Sequence, residues 1–146
     1  MERSATEVTI RPYGDGDHDA VVRLWNEVFA GDPPRNEPTA VIRRKQQVLP
    51  ELFLVSTTGD TLTGTIVAGY DGYRGWLYHL AVDPVWRRRG HGRRLVEAAE
   101  AALRRLGCPK INLQVRSTNA GVVGFYERLG FGREAHVDMG KLLSDE

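Results

Sequence analysis

The stretch 82–106, V-D-P-V-W-R-R-R-G-H-G-R-R-L-V-E-A-A-E-A-A-L-R-R-L, constrains this chain more than any other. It reads as the end of a strand, a turn at Asp83-Pro84, a basic glycine loop and a long helix. Leu95, Ala99, Ala102 and Leu106 recur at helical spacing and predict one apolar face. Gly107 and Pro109 supply a stop, and Arg104 and Arg105 stand in the last turn, where the helix dipole favours cations. At the other end, the first backbone N–H groups of the helix have no intrahelical acceptor. Gly90 and Gly92 let that backbone come close to a ligand, and the surrounding arginines add positive charge. Such a loop is suited to hold phosphate.

Three kinds of phosphate site fit a glycine loop before a helix. A P-loop needs Gly-Lys-Ser/Thr, a tripeptide absent from this chain. A dinucleotide fold needs Gly-x-Gly-x-x-Gly, and its third glycine falls on Leu95. The third is the pyrophosphate of coenzyme A. Arg87-x-x-Gly90-x-Gly92 follows the strand Leu77-Tyr78-His79-Leu80-Ala81-Val82 and the Asp83-Pro84 turn. In that context it resembles the Gln/Arg-x-x-Gly-x-Gly/Ala signature of the GCN5-related N-acetyltransferases (GNAT). The later segment 119–131, N-A-G-V-V-G-F-Y-E-R-L-G-F, is similar to that family's second cofactor segment. The wording at Gly69-Tyr70-Asp71-Gly72 and Cys108-Pro109-Lys110-Ile111 resembles the small bacterial YpeA-type subgroup.

A chain of 146 residues suits one domain with one core, here taken as 1–146. Twenty basic residues face nineteen acidic ones, so the arginines near Gly90 form a local patch and not a global field. That balance argues against a nucleic-acid partner. The single cysteine, Cys108, allows no internal disulfide and reads as a structural thiol. The N-terminal M-E-R-S-A-T-E has no apolar signal region and no stretch reaches membrane-span length, which predicts a cytoplasmic protein without membrane partners. His18, His91 and His136 lack metal-ligand spacing, so no metal is expected.

Hydrophobic patterning predicts a strand at 8–11 and a helix from about His18, capped by Asp15 or Asp17, with Val21, Trp25, Val28 and Phe29 as its buried stripe. A proline-rich loop at 31–38 and a helix at 39–48 come next. Three hairpin-linked strands at 53–57, 61–70 and 76–82 lead into the glycine loop. After the long helix come a strand at 110–116, a short helix at 119–129 and one or two closing strands within 131–143. The fold class expected is α/β (α+β): a mixed, mostly antiparallel sheet with helices on both faces. The resemblance adds splayed central strands.

The resemblance also implies a chemistry. Acetyl-CoA is the implied co-substrate. Its pantetheine arm is expected along the backbone of Leu80, Ala81 and Val82, and its pyrophosphate on Arg87, Arg88, Arg89, Gly90, His91, Gly92 and Arg93. Asn119 is expected either to bond the pantetheine or simply to cap its helix. Tyr126 matches the family tyrosine that protonates the departing thiolate, and it equally suits a core position beside Val122 and Leu129. Some members carry a glutamate where this chain has Trp76. The base is therefore open among Glu37, Asp71, Tyr78 and His79. Glu37, Asp71 and Trp76 are expected to border a cleft for the acceptor, a small-molecule or peptide amine; Trp25, Arg35, Asn36 and Tyr73 are further candidates. The chain is expected to be a monomer or homodimer. A silent acyl-CoA sensor or a partner-binding domain is the alternative reading.

Overall fold

A computed structural model describes residues 7–144. Of the seven residues on which the absence of a signal region was read, the first six lie outside the described residues. The chain forms two compact units that divide after Leu113.

The first unit is built on a five-stranded sheet in the order β1-β2-β3-β4-β5, with β1 Thr9–Pro12, β2 Phe53–Thr58, β3 Thr61–Tyr70, β4 Gly75–Val82 and β5 Ile111–Leu113. The β1–β4 neighbours are antiparallel, and β4 pairs with β5 in parallel. The parallel pair needs a crossover, which α3, His91–Arg105, supplies. Helices α1, His18–Val28, and α2, Pro38–Lys45, precede β2.

Adjacent residues on β3 show how the helices are distributed. A side-chain carbon on Gly64 would meet Leu95 of α3, while Thr65 accepts a hydrogen bond from Trp25 of α1. Neighbouring strand residues point to opposite faces, so α1 and α3 cover opposite sides of the sheet. The α1/α2 side holds a core of Val21, Leu24, Trp25, Ile42, Phe53, Val55, Val67 and Ala81. The buried face of α3 consists of His91, Leu95, Val96, Ala99 and Leu103. Of the predicted stripe, Ala102 is only half-buried and Leu106 is exposed. Leu103 replaces them because its row continues the line through Leu95, Val96 and Ala99.

Other expectations also shift. Asp17 makes no side-chain cap to α1. Its carboxylate pairs with Arg11 at 2.7 and 2.9 Å and accepts the Gly14 N–H at 2.9 Å. In α1, Leu24 is buried, and Val28 and Phe29 are half-buried. Helix α2 stops at Lys45, three residues short of Val48.

The second unit contains α4, Ala120–Arg128. Tyr126 is its buried residue, edge-on to Phe125 and Phe131 at ring separations of 5.1 and 5.5 Å. Gln114 donates to Asp138 at 2.6 Å, and Glu127 lies 3.7 Å from Arg133. The predicted closing strands are not formed: no described residue from 131 to 144 lies in a strand. Val137, Met139 and Leu143 are nearly fully exposed, so that segment lacks the apolar cover a strand face requires. The strand predicted at 110–116 is limited to Ile111–Leu113.

Candidate active site

β4 is paired along its whole length on one side only. With β5 it pairs at Gly75, Trp76 and Leu77 and no further. From Tyr78 to Val82 no strand of the described residues pairs with its β5-facing edge, which is the splay that was expected. A strand edge of this kind leaves backbone N–H and C=O groups open to an amide-bearing chain.

The same segment carries a bulge. Val67 pairs with Tyr78 and Thr65 with Ala81, so Ile66 alone stands opposite His79 and Leu80. His79 has a φ of 49°. That left-handed conformation costs a non-glycine residue about 1–2 kcal/mol and must be held by its surroundings. Thr65 Oγ1 donates to the His79 carbonyl at 3.0 Å and receives the Trp25 indole N–H at 2.8 Å. Trp25 and Phe29 hold the His79 ring, with centroids at 4.6 and 5.1 Å. Burial lowers the His79 pKa, partly opposed by Asp32. Tyr78, by contrast, is 49% exposed. Of the two base candidates on β4, His79 is thus turned into packing against α1 and Tyr78 faces solvent.

β4 leads directly into the glycine loop. Asp83 caps a short 3₁₀ turn, Pro84–Trp86, by accepting the Val85 N–H at 2.9 Å. Arg87 reaches back, its Nε donating to the Val82 carbonyl at 3.1 Å. Arg88 and Gly90 both have positive φ, 64° and 82°. This double reversal brings the chain into α3 with Gly90 as N-cap. Gly90 has no side chain to offer, so no cap bond competes for the N–H groups of the first turn. The Arg89 guanidinium lies over the Trp86 ring at 5.0 Å, and Arg93 pairs with Glu97 at 3.2 Å. His91 behaves differently from its neighbours: its side chain is 2% exposed and its Nδ1 lies 2.9 Å from Thr63 Oγ1, itself 2.8 Å from Ser56 Oγ. Only the backbone of His91 is available to a ligand. The helix end and its open edge satisfy what a pyrophosphate and a pantetheine need of this backbone: free N–H donors, no side-chain cap and adjacent positive charge.

The residues expected on the acceptor side are engaged locally. Glu37 caps α2, accepting the N–H groups of Thr39 and Ala40, each at 3.0 Å. Those bonds lower its pKa, Thr39 contributing most. Asp71 closes the β3–β4 turn by accepting the Tyr73 and Arg74 N–H groups at 2.8 Å. Its pKa is lowered by Arg74, then Tyr73, with a smaller effect from the Trp76 side chain. Trp76 pairs with Gly69 and Asn112 and is half-buried. A shallow cavity of about 500 Å³, lined among others by Tyr13, His18, Thr39 and Gln46, contains none of these candidates.

In the second unit, Asn119 caps α4 by accepting the Val122 N–H at 3.4 Å. Tyr126 is 7% exposed, and burial pushes its pKa up to about 12. Among the described residues no group of His, Cys, Asp and Glu is placed to hold a metal, and no helix is long and apolar enough to cross a membrane.

Sequence reasoning missed Thr65, Thr63 and Ser56 behind the site, and it offered Trp25 to the acceptor as well as to the core, whereas Trp25 is 2% exposed and bonded to Thr65. Their partners are 7 to 40 residues away along the chain, so no local pattern marks them.

Comparison with known proteins agrees with this geometry. Residues 19–131 match the sequence model of the acetyltransferase (GNAT) family. An acetyltransferase of Yersinia pestis (strain Pestoides F) is 39% identical over 134 residues, 92% of this chain and 94% of that protein. The solved structure of Ard1 from Thermoplasma volcanium superposes with a TM-score of 0.75 at 27% identity, covering 88% of this chain and 84% of that one. AAC(6')-Iy, solved with the bisubstrate analog CoA-S-monomethyl-acetylneamine, shares the fold, with a TM-score of 0.77 at 15% identity over 94% of this chain and 99% of that one. The splayed β4, its bulge and the glycine loop opening α3 thus occur in a chain that belongs to the GNAT acetyltransferase family.

Proposed function

We propose that the protein is an acetyl-CoA-dependent N-acetyltransferase, a single domain over residues 1–146, that acetylates a primary amine of a small molecule or peptide. One observation carries this reading: the free edge of β4 from Tyr78 to Val82 runs straight into an uncapped helix N-terminus. A long ligand with amides at one end and phosphates at the other matches that sequence of groups. The backbone of Leu80, Ala81 and Val82 holds the pantetheine arm. The N–H groups from Arg88 to Arg93 hold the pyrophosphate, and Arg87, Arg88 and Arg89 add charge around it. Bound acetyl-CoA supplies the activated acetyl group.

The Leu80 N–H stabilises charge developing on the thioester oxygen. Tyr126 protonates the leaving thiolate: its phenol carries the proton at neutral pH and is reprotonated from solvent after transfer. Asn119 stands at the N-terminus of the helix that carries Tyr126 and both caps it and meets the pantetheine. The acceptor amine loses its proton to solvent beside β4, which carries Trp76 and Tyr78 and follows the turn closed by Asp71. Acidic and aromatic groups there suit an ammonium-bearing acceptor.

The test is release of free thiol from acetyl-CoA with a panel of small amines and N-terminal peptides. Amine-dependent thiol release with a matching acetylated product supports the reading. Tight acetyl-CoA binding with no release across the panel would favour a silent acyl-CoA sensor.

A further inference from the structure

We infer that Thr65 is a positioning residue for the acetyl group: its hydroxyl fixes the peptide between His79 and Leu80 so that the Leu80 N–H faces the open edge of β4. The inference rests on the acetyl-CoA reading above.

The argument starts from the bulge. A bulged residue loses its regular ladder partner, and its peptide groups can take several directions. Here one direction is imposed. Thr65 Oγ1 donates to the His79 carbonyl at 3.0 Å, which turns that oxygen toward β3. The peptide is trans, and in a trans peptide the carbonyl and the following N–H point opposite ways. The Leu80 N–H is therefore directed away from β3, to the side where β4 has no neighbour beyond Leu77. An unpinned bulge could rotate this peptide and lose the donor.

The hydroxyl is itself fixed. Thr65 is fully buried, and its oxygen accepts the Trp25 indole N–H at 2.8 Å. That bond occupies an acceptor site of the oxygen and leaves its single proton for the His79 carbonyl. Trp25 is 2% exposed and part of the α1 core, so the relay runs from a rigid helix through one hydroxyl to the bulge. Trp25 also flanks the His79 ring at 4.6 Å, holding the side chain of the residue whose carbonyl the relay fixes. Neither contact is needed for strand pairing, which resumes at Ala81.

The experiment reads the thioester carbonyl directly. Acetyl-CoA labelled with ¹³C at the acetyl carbonyl is bound to wild type, Thr65→Ser, Thr65→Val and the double variant Trp25→Phe/Thr65→Val. The double variant removes donor and acceptor together, so it leaves no buried indole without a partner should Thr65→Val alone fail to fold. A carbonyl hydrogen-bonded to Leu80 moves downfield on binding to wild type. Thr65→Ser keeps that shift, and the valine variants lose more than half of it. The affinity for desacetyl coenzyme A, which has no carbonyl at this point, stays within about twofold in all four proteins. With an accepted amine, kcat of the valine variants falls by about tenfold, less than the 10²–10³-fold of deleting an oxyanion donor. A full downfield shift in a folded valine variant overturns the inference alone. Failure of wild type to bind acetyl-CoA overturns the acetyl-CoA reading and this inference with it.

Discussion

Thr63 Oγ1 lies 2.9 Å from Nδ1 of His91 and ties the first residue of α3 to the β2–β3 hairpin. The position of the glycine loop therefore depends on a buried imidazole. Burial lowers the His91 pKa, and Arg89 and Arg94 lower it further. A histidine with a depressed folded pKa binds fewer protons folded than unfolded, so stability falls as pH drops below the unfolded value of about 6.5. Thermal melts from pH 8 to pH 5 are expected to show a falling melting temperature below about 6.5. His91→Gln is expected to flatten part of that slope. The rest belongs to His79, whose pKa is shifted the same way.

Gly64 is expected to tolerate no side chain. A Cβ there would stand 2.8 Å from the Ala81 carbonyl oxygen, 2.9 Å from Ser56 Oγ and 3.0 Å from a Leu95 methyl. The backbone oxygen cannot move without disturbing the β3–β4 ladder. Gly64→Ala is expected to destabilise by about 1–3 kcal/mol, as overpacking typically does. Gly69→Ala, on the same strand with open space around it, is the control and is expected to cost nothing. Urea unfolding of the two variants gives the comparison.

Tyr126→Phe is expected to lower kcat by about 10²-fold, the low end for general acid catalysis, because a thiolate already leaves readily. The melting temperature and the acetyl-CoA dissociation constant should not change, since the ring that packs against Phe125 and Phe131 remains. With its pKa near 12, Tyr126 stays protonated across ordinary assay pH and contributes no basic limb to the rate profile. A wild-type rate in Tyr126→Phe would assign the tyrosine to the core alone.

Glu37→Gln and Asp71→Asn are expected to act first on stability. Each carboxylate accepts two backbone N–H groups; Glu37→Gln replaces one of the two accepting oxygens, and Asp71→Asn keeps the accepting oxygen but removes the charge that strengthens both bonds. Both pKa values are depressed by those bonds, so the stabilisation is present above the ordinary carboxylate range and lost as pH falls below about 4. Melting temperatures at neutral pH should fall in both variants, and the wild-type difference should vanish in acid. Acetyl-CoA affinity, measured by titration, should not move.

Periodicity and turn residues were enough to place the hairpins, the long helix and the loop that opens it. The Gly59-Asp60 turn between β2 and β3, and Gly107 after α3, are local signals with local causes. Bulges defeated the finer reading. Thr63 and Thr65 stand two apart and read as one face. Yet Ser56 pairs with Gly64 and Thr57 with Leu62, so Thr63 is the extra residue. Its hydroxyl turns to His91 on the α3 side, while that of Thr65 meets Trp25 on the α1 side. A one-residue slip exchanges faces, and nothing in the local pattern announces it. The site was legible where the backbone supplies it, at Gly90 and along β4. It was illegible where side chains are engaged elsewhere, by their own turns at Glu37 and Asp71 and by a distant strand residue, Thr63, at His91.

The most direct test of the account is calorimetric titration of acetyl-CoA into wild type and Gly92→Glu. One molecule per chain is expected to bind wild type. In Gly92→Glu a side chain and a negative charge enter the first turn of α3, among the N–H groups assigned to the pyrophosphate, and binding is expected to disappear while the melting temperature is kept. Unchanged affinity in a folded Gly92→Glu protein would contradict the assignment of the phosphate site to this helix end.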